Sequence, residues 1–149
     1  MRYAAKAEAL RTTFSEFGLM RARVTVEVRW LQHLASIEAG REGPPLSPDA
    51  EALLDGIVAG FSLEDALAIK AIEAKTNHDV KAVEYFIKAR TGAALGKAAE
   101  FIHFACTSED INNVSHALML KDAVNESLLP QLDHLIGRLR ELEHRAPSP

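Results

Sequence analysis

The sequence predicts an all-α fold, and three observations carry that expectation. Apolar residues recur at helical spacing through most of the chain, cap and proline signals fall where helices would begin, and no alternating strand pattern of useful length appears. Val24 to Val28 does alternate, but it lies inside a longer helical repeat with no turn signal on either flank.

Taken in order, Ala4 to Glu16 has high helix propensity and no breaker, and Gly18 is expected to end it. From Leu19 to Ala39 one stripe runs through Met20, Val24, Val28, Leu31 and Ala35, and a second through Val26, Trp30, Leu34 and Ile37. That pattern predicts a helix buried on two sides, stopped by Gly40. After the loop at Gly43-Pro44-Pro45, Ser47-Pro48 reads as an N-cap followed by proline at the first helical position, opening a helix to about Ala59. Ser62 caps the next helix, through Leu63, Leu67 and Ile72 to about Lys75. Asp79 is expected to cap another, with Val80, Val83, Phe86 and Ile87 on one side.

The last segment, Ser108 to about Arg145, carries a clean apolar stripe at Leu132, Leu135, Ile136, Leu139 and Leu142. Pro130 interrupts it, which predicts a kink or a break, because proline lacks an amide donor and crowds the carbonyl four residues back. A stripe at the end of the chain is covered either by earlier helices folding back or by a larger bundle with members from elsewhere. The second arrangement is expected.

Composition narrows the functional classes. With 149 residues, 48% hydrophobic, 26% charged and a net charge of −4, the chain can bury one core and offers no basic field for nucleic acid. A single cysteine forms no internal disulfide, and no N-terminal apolar stretch is long enough for a signal or a membrane span. A reduced, cytoplasmic setting without nucleic-acid or membrane partners is therefore expected. The opening at Met1-Arg2-Tyr3 and the ending at Ala146-Pro147-Ser148-Pro149 suit a piece of something longer.

Two polar segments carry the chemistry. Cys106-Thr107-Ser108-Glu109-Asp110-Ile111-Asn112-Asn113 follows the apolar run Phe101 to Ala105, and a helix starting there would aim unpaired amides and the hydroxyls of Thr107 and Ser108 at one place. That is a candidate carboxylate or phosphate site. Thr76-Asn77-His78-Asp79-Val80-Lys81-Ala82-Val83-Glu84-Tyr85 places His78 in a loop before a helix, where an imidazole can donate a proton or a hydrogen bond and Asp79 or Glu84 can orient it. Asn-His-Asp is also good cap chemistry by itself, and Lys81 and Glu84 are spaced to pair on the surface.

Together these segments resemble the N-terminal region of the bacterial adenylosuccinate lyases, within the fumarase and aspartase superfamily. Further matches lie at Arg2-Tyr3, Phe14-Ser15-Glu16-Phe17-Gly18-Leu19, Val26-Glu27-Val28-Arg29-Trp30-Leu31 and Ser115-His116-Ala117-Leu118-Met119-Leu120, in the family's order and over essentially the whole chain. The resemblance implies an N-terminal helical domain at 1–107 and the start of a central helical bundle at 108–149, with a C-terminal domain absent. It implies an enzyme of purine biosynthesis leading to AMP and IMP. Fumarate is eliminated from adenylosuccinate to give AMP, and from the succinyl-carboxamide ribotide to give the aminoimidazole carboxamide ribotide.

Roles carried over by resemblance are residue-specific. Arg2 and Tyr3 match a pair contacting the nucleotide at its phosphate end. Asn77, His78 and Asp79 match the loop that lies beside the leaving group, with His78 supporting protonation or orientation. Thr107 and Ser108 match the hydroxyl pair that binds the succinyl or fumarate carboxylate, and Glu109 to Asn113 are assigned to shaping the turn. The family's main acid, a second histidine, and its base, a serine in a Ser-Ser-x-Met-Pro-x-Lys-x-Asn type loop, match nothing in this chain. The family assembles each site from three chains of a homotetramer, so the chain alone is expected to be inactive. The reaction implies no cofactor and no metal.

Other residues are assigned to structure. His103 and Cys106 have a spacing that would share a helical face, but a cysteine in an apolar run is expected as core filler, and His116 lies further on. Trp30, His33 and His134 lie in regular helical patterns, and Arg138 to Arg145 is a solvated mixed-charge face. Two alternatives remain at this level. One is another fumarate-releasing lyase acting on argininosuccinate, aspartate or malate, and the other is a non-catalytic helical fragment that only associates.

Overall fold

The computed structural model describes residues 3, 5–37 and 45–145, and among these every regular element is helical. Six α-helices follow in order: α1 Glu16–Ser36, α2 Pro48–Ala59, α3 Leu63–Thr76, α4 Asp79–Thr91, α5 Ser108–Ala123 and α6 Leu129–Arg145. Arg2 lies outside the described residues.

The segment before α1 departs from expectation. In place of the helix expected over 4–16, residues 5–15 form turns and bends with one short 3-10 turn, Glu8–Leu10, that buries no side chain. Helix propensity without an apolar face to bury does not sustain a helix of this length. Helix α1 begins at Ser15, whose hydroxyl accepts from the Gly18 amide at 3.1 Å. Gly18 therefore sits in the first turn of α1. A Cβ there would lie 2.0 Å from the Thr13 carbonyl oxygen, so glycine is needed for the preceding turn to fold back against the helix.

Helix α1 is the central element and is buried on two sides, as its two stripes require. Met20, Val24, Val28 and Leu31 join Leu54 of α2, Ile69 of α3, and Val83, Phe86 and Ile87 of α4 in the main core. On its other side Val26 meets Val80 of α4 and Ile111 of α5. Each of these helices has a local reason to start where it does. Ser47 accepts from the Ala50 amide with Pro48 in the first turn of α2, and Ser62 forms a capping box with Asp65 at α3. Asp65 is also bound by Arg90 at 3.0 Å, which ties α3 to α4.

Beyond α4 the chain tightens into a 3-10 stretch, Gly92–Phe101. It is entered at Gly92 with φ 51° and ψ −130°, a region that side chains avoid. Pro130 is accommodated without a break. The π-helical segment Val124–Leu128 precedes α6, and the Leu129 amide donates to the Val124 carbonyl. That wider turn draws the backbone away from the carbonyl a proline ring would strike in an α-helix. Helix α6 buries none of its residues, and Leu132, Leu135, Ile136, Leu139 and Leu142 are 44–58% exposed.

Candidate functional site

The α3–α4 junction is built by its polar residues. Asn77 takes the left-handed conformation at φ 52° and ends α3, with its amide donating to the Glu73 carbonyl at 2.8 Å. The cap of α4 is His78, not Asp79 as the sequence suggested: His78 Nδ1 accepts from the Lys81 amide at 3.1 Å, and Asp79 is the first helical residue. This bond fixes the neutral tautomer of His78, because an Nδ1 that accepts leaves the proton on Nε2. The exposed ring therefore presents a donor to solvent. Asn77 and Asp79 also line a cleft of about 450 Å³ with Lys70, Glu73 and Ala74.

The start of α5 is a capping box. Thr107 Oγ1 accepts from the Asp110 amide at 3.3 Å, and both the Thr107 amide and its hydroxyl donate to Asp110 Oδ2 at 2.7 Å. Backbone and side-chain bonds from Thr107 hold the Asp110 carboxyl below its ordinary range. The Thr107 hydroxyl proton is thus already committed. Among the described residues the Ser108 hydroxyl has no partner, so Ser108 and the free first-turn amides are the donors open to a ligand.

Arg23 brings these two helix starts together. From the buried middle of α1 its Nη2 pairs with Asp79 Oδ2 at 2.7 Å and its Nε donates to Asn112 Oδ1 at 2.9 Å, one turn into α5. Burial acts to raise the Asp79 carboxyl, but the Arg23 bond and charge outweigh it and hold the group below its ordinary value. Arg23 thus ties Asp79, which follows Asn77 and His78, to the helix that Thr107 and Ser108 begin, while Tyr3 is exposed and Arg2 lies outside the described residues.

Sequence reasoning missed a second pair. His103 is not on a helical face with Cys106: its backbone is left-handed at φ 66°, as is that of Ala105 at φ 59°. For residues with a Cβ that conformation costs about 1–2 kcal/mol each. The turn sets His103 Nδ1 2.6 Å from Oε1 of Glu27, which is 0% exposed, while Glu27 Oε2 is buried without a partner among the described residues. Burial pushes the Glu27 carboxyl above its ordinary range against the opposing effect of His103. The His103 carbonyl accepts from the Cys106 amide at 3.3 Å, so the turn that carries the imidazole leads directly into the Thr107 cap. The sequence held only a faint signal, an acidic residue at position 27 between valines inside an otherwise buried stripe.

Cys106 is half-buried against the Val26, Val80 and Ile111 cluster, and burial raises its thiol. It lines an apolar cavity of about 650 Å³ with Trp30, His33 and Leu118, and Trp30 Nε1 donates to the Phe104 carbonyl at 2.7 Å. No helix among the described residues is long and apolar enough to cross a membrane.

The sequence matches the family described as Lyase over residues 1–146. The chain belongs to that lyase family. Its similar relatives are more particular. It is 59% identical over 143 residues to the adenylosuccinate lyase of Haemophilus influenzae and 57% identical over 143 residues to that of Escherichia coli K12, covering 95% of this chain and 31% of each relative. The adenylosuccinate lyase of Buchnera aphidicola subsp. Schizaphis graminum is 42% identical over 141 residues, again with 31% of its length covered. The chain spans about a third of the length of these relatives.

Proposed function

We propose that residues 1–149 form the N-terminal part of a cytoplasmic adenylosuccinate lyase, which eliminates fumarate from adenylosuccinate and from the succinyl-carboxamide ribotide. The observation that carries this reading is the 54–59% identity to adenylosuccinate lyases across 95% of the chain. In that reaction a proton leaves the carbon next to a carboxylate, the carbon–nitrogen bond breaks, and the leaving nitrogen gains a proton. The main acid and base come from segments outside this sequence. This chain supplies binding and orientation.

Ser108 Oγ and the first-turn amides of α5 receive the succinyl carboxylate, while Thr107 holds the turn in shape. His78, with its Nε2 proton facing outward, donates toward the leaving nitrogen. Asn77 and Asp79 fix the loop, and Arg2 and Tyr3 hold the nucleotide at its phosphate end. The division at 107–108 separates the first domain from the central bundle, and the bare stripe of α6 supports burial against other copies in a homotetramer.

The test is fumarate release by the complete protein from adenylosuccinate, argininosuccinate, aspartate and malate. Turnover of adenylosuccinate well above the others is the expected result. Preference for any of the other three assigns the chain to a different lyase. The 149-residue chain by itself is expected to show no turnover.

A further inference from the structure

We propose that Glu27 is the positioning residue of His103, locking the imidazole through Nδ1 so that Nε2 is the atom the ring offers to substrate beside the Thr107–Ser108 helix start. The inference rests on the lyase reading above for its functional consequence, but its structural content stands on geometry.

Four observations converge. Glu27 is fully buried on α1, and its Oε1 lies 2.6 Å from His103 Nδ1. Its other oxygen has no partner among the described residues, so His103 is the sole hydrogen-bond partner of a buried carboxyl. The nearby buried carboxylate Glu84 is served instead by Lys81 at 2.6 Å and Lys88 at 3.2 Å, which leaves neither lysine to Glu27. The backbone at His103 is held in the left-handed region, as expected where surrounding bonds over-determine a functional turn.

An ionised carboxylate oxygen can only accept, so the shared proton belongs to Nδ1. Nε2 is then an acceptor in the neutral ring and a donor in the charged one. His78 is arranged the other way, with Nδ1 accepting and Nε2 carrying the proton. The two histidines thus differ in tautomer because one faces a backbone amide and the other a buried carboxyl. Residual exposure of the His103 side chain, 21%, leaves the ring reachable.

Two measurements test this. In the 149-residue chain labelled with 15N-histidine, long-range proton–nitrogen spectra report which nitrogen of each ring is protonated, with His103→Gln giving the assignment. His103 is expected to be protonated at Nδ1 at neutral pH, and Glu27→Leu is expected to release the ring into tautomer exchange. A bare Nδ1 on His103, or a spectrum unchanged by Glu27→Leu, overturns the proposal. In the complete protein, Glu27→Leu is expected to lower kcat/KM about tenfold or more, Glu27→Gln to retain part of the activity through its amide oxygen, and Glu27→Leu to add less than about twofold once His103 is already Gln. Equal effects of Glu27→Leu in both backgrounds mean a role in packing alone and also overturn it. A wild-type protein without lyase turnover would sink the functional reading, while the nitrogen spectra still decide the role of Glu27.

Discussion

Arg23 and Asp79 form a 2.7 Å ion pair whose two ends sit in different surroundings: the arginine side chain is 8% exposed and the aspartate 51%. The partners therefore respond differently to removal. Arg23→Met leaves a carboxylate that water can solvate, at an expected cost of about 1–2 kcal/mol. Asp79→Leu leaves a buried guanidinium whose remaining partner among the described residues is Asn112, at about 2–4 kcal/mol. Urea unfolding of both variants checks the order, and a larger loss for Arg23→Met would contradict the burial on which it rests.

The same carboxylate sets a pH dependence. The folded value of Asp79 lies below its ordinary 3.8, so its contribution is complete above about 3.8 and is lost as pH falls through the folded value. Melting curves of wild type and Asp79→Asn are expected to differ at pH 7 and to converge toward pH 2. Glu27 acts with the opposite sign. Its folded value lies above the ordinary 4.5, so its charge burdens the fold at neutral pH, and the burden disappears as pH falls from the folded value toward 4.5. Glu27→Gln is therefore expected to melt at or above wild type at pH 8, with the difference closing on acidification.

Gly18→Ala places a methyl 2.0 Å from a backbone oxygen, which no rotamer change relieves. The expected loss is about 2–3 kcal/mol, read from denaturant midpoints. A variant as stable as wild type would show that the Thr13 turn can lift away from α1.

The apolar stripe of α6 predicts association. Sedimentation of the chain is expected to show dimers or larger species, and Leu135→Asp combined with Leu139→Asp to shift them toward monomer with little change in the melting of the core, because α6 buries none of its own residues. A wild-type chain that stays monomeric at high concentration contradicts the bundle assignment.

What the sequence disclosed and what it hid follow the range of the interactions. Ser47, Ser62 and Thr107 were legible as helix starts because a cap needs only the next three residues. The two-sided burial of α1 was written in its stripes. Residues 4–16 misled because propensity is local while helix survival depends on a face to bury, which tertiary packing does not provide there. The choice of His78 over Asp79 as cap turned on a ring nitrogen acting as acceptor, a less common cap than a carboxylate. Pro130 announced a disturbance but not its form, a π-turn set by the backbone upstream. The Arg23–Asn112 and Glu27–His103 contacts join residues 89 and 76 positions apart, and no local pattern reports such pairs.

Ser108, with its hydroxyl uncommitted beside a Thr107 spent on its own cap, is the proposed receptor of the substrate carboxylate. The KM of the complete protein for adenylosuccinate with Ser108→Ala measures this most directly. Loss of a hydrogen bond to a charged group, about 1.5–3 kcal/mol, predicts a KM raised about tenfold or more with the melting temperature unchanged. A wild-type KM in Ser108→Ala would contradict it.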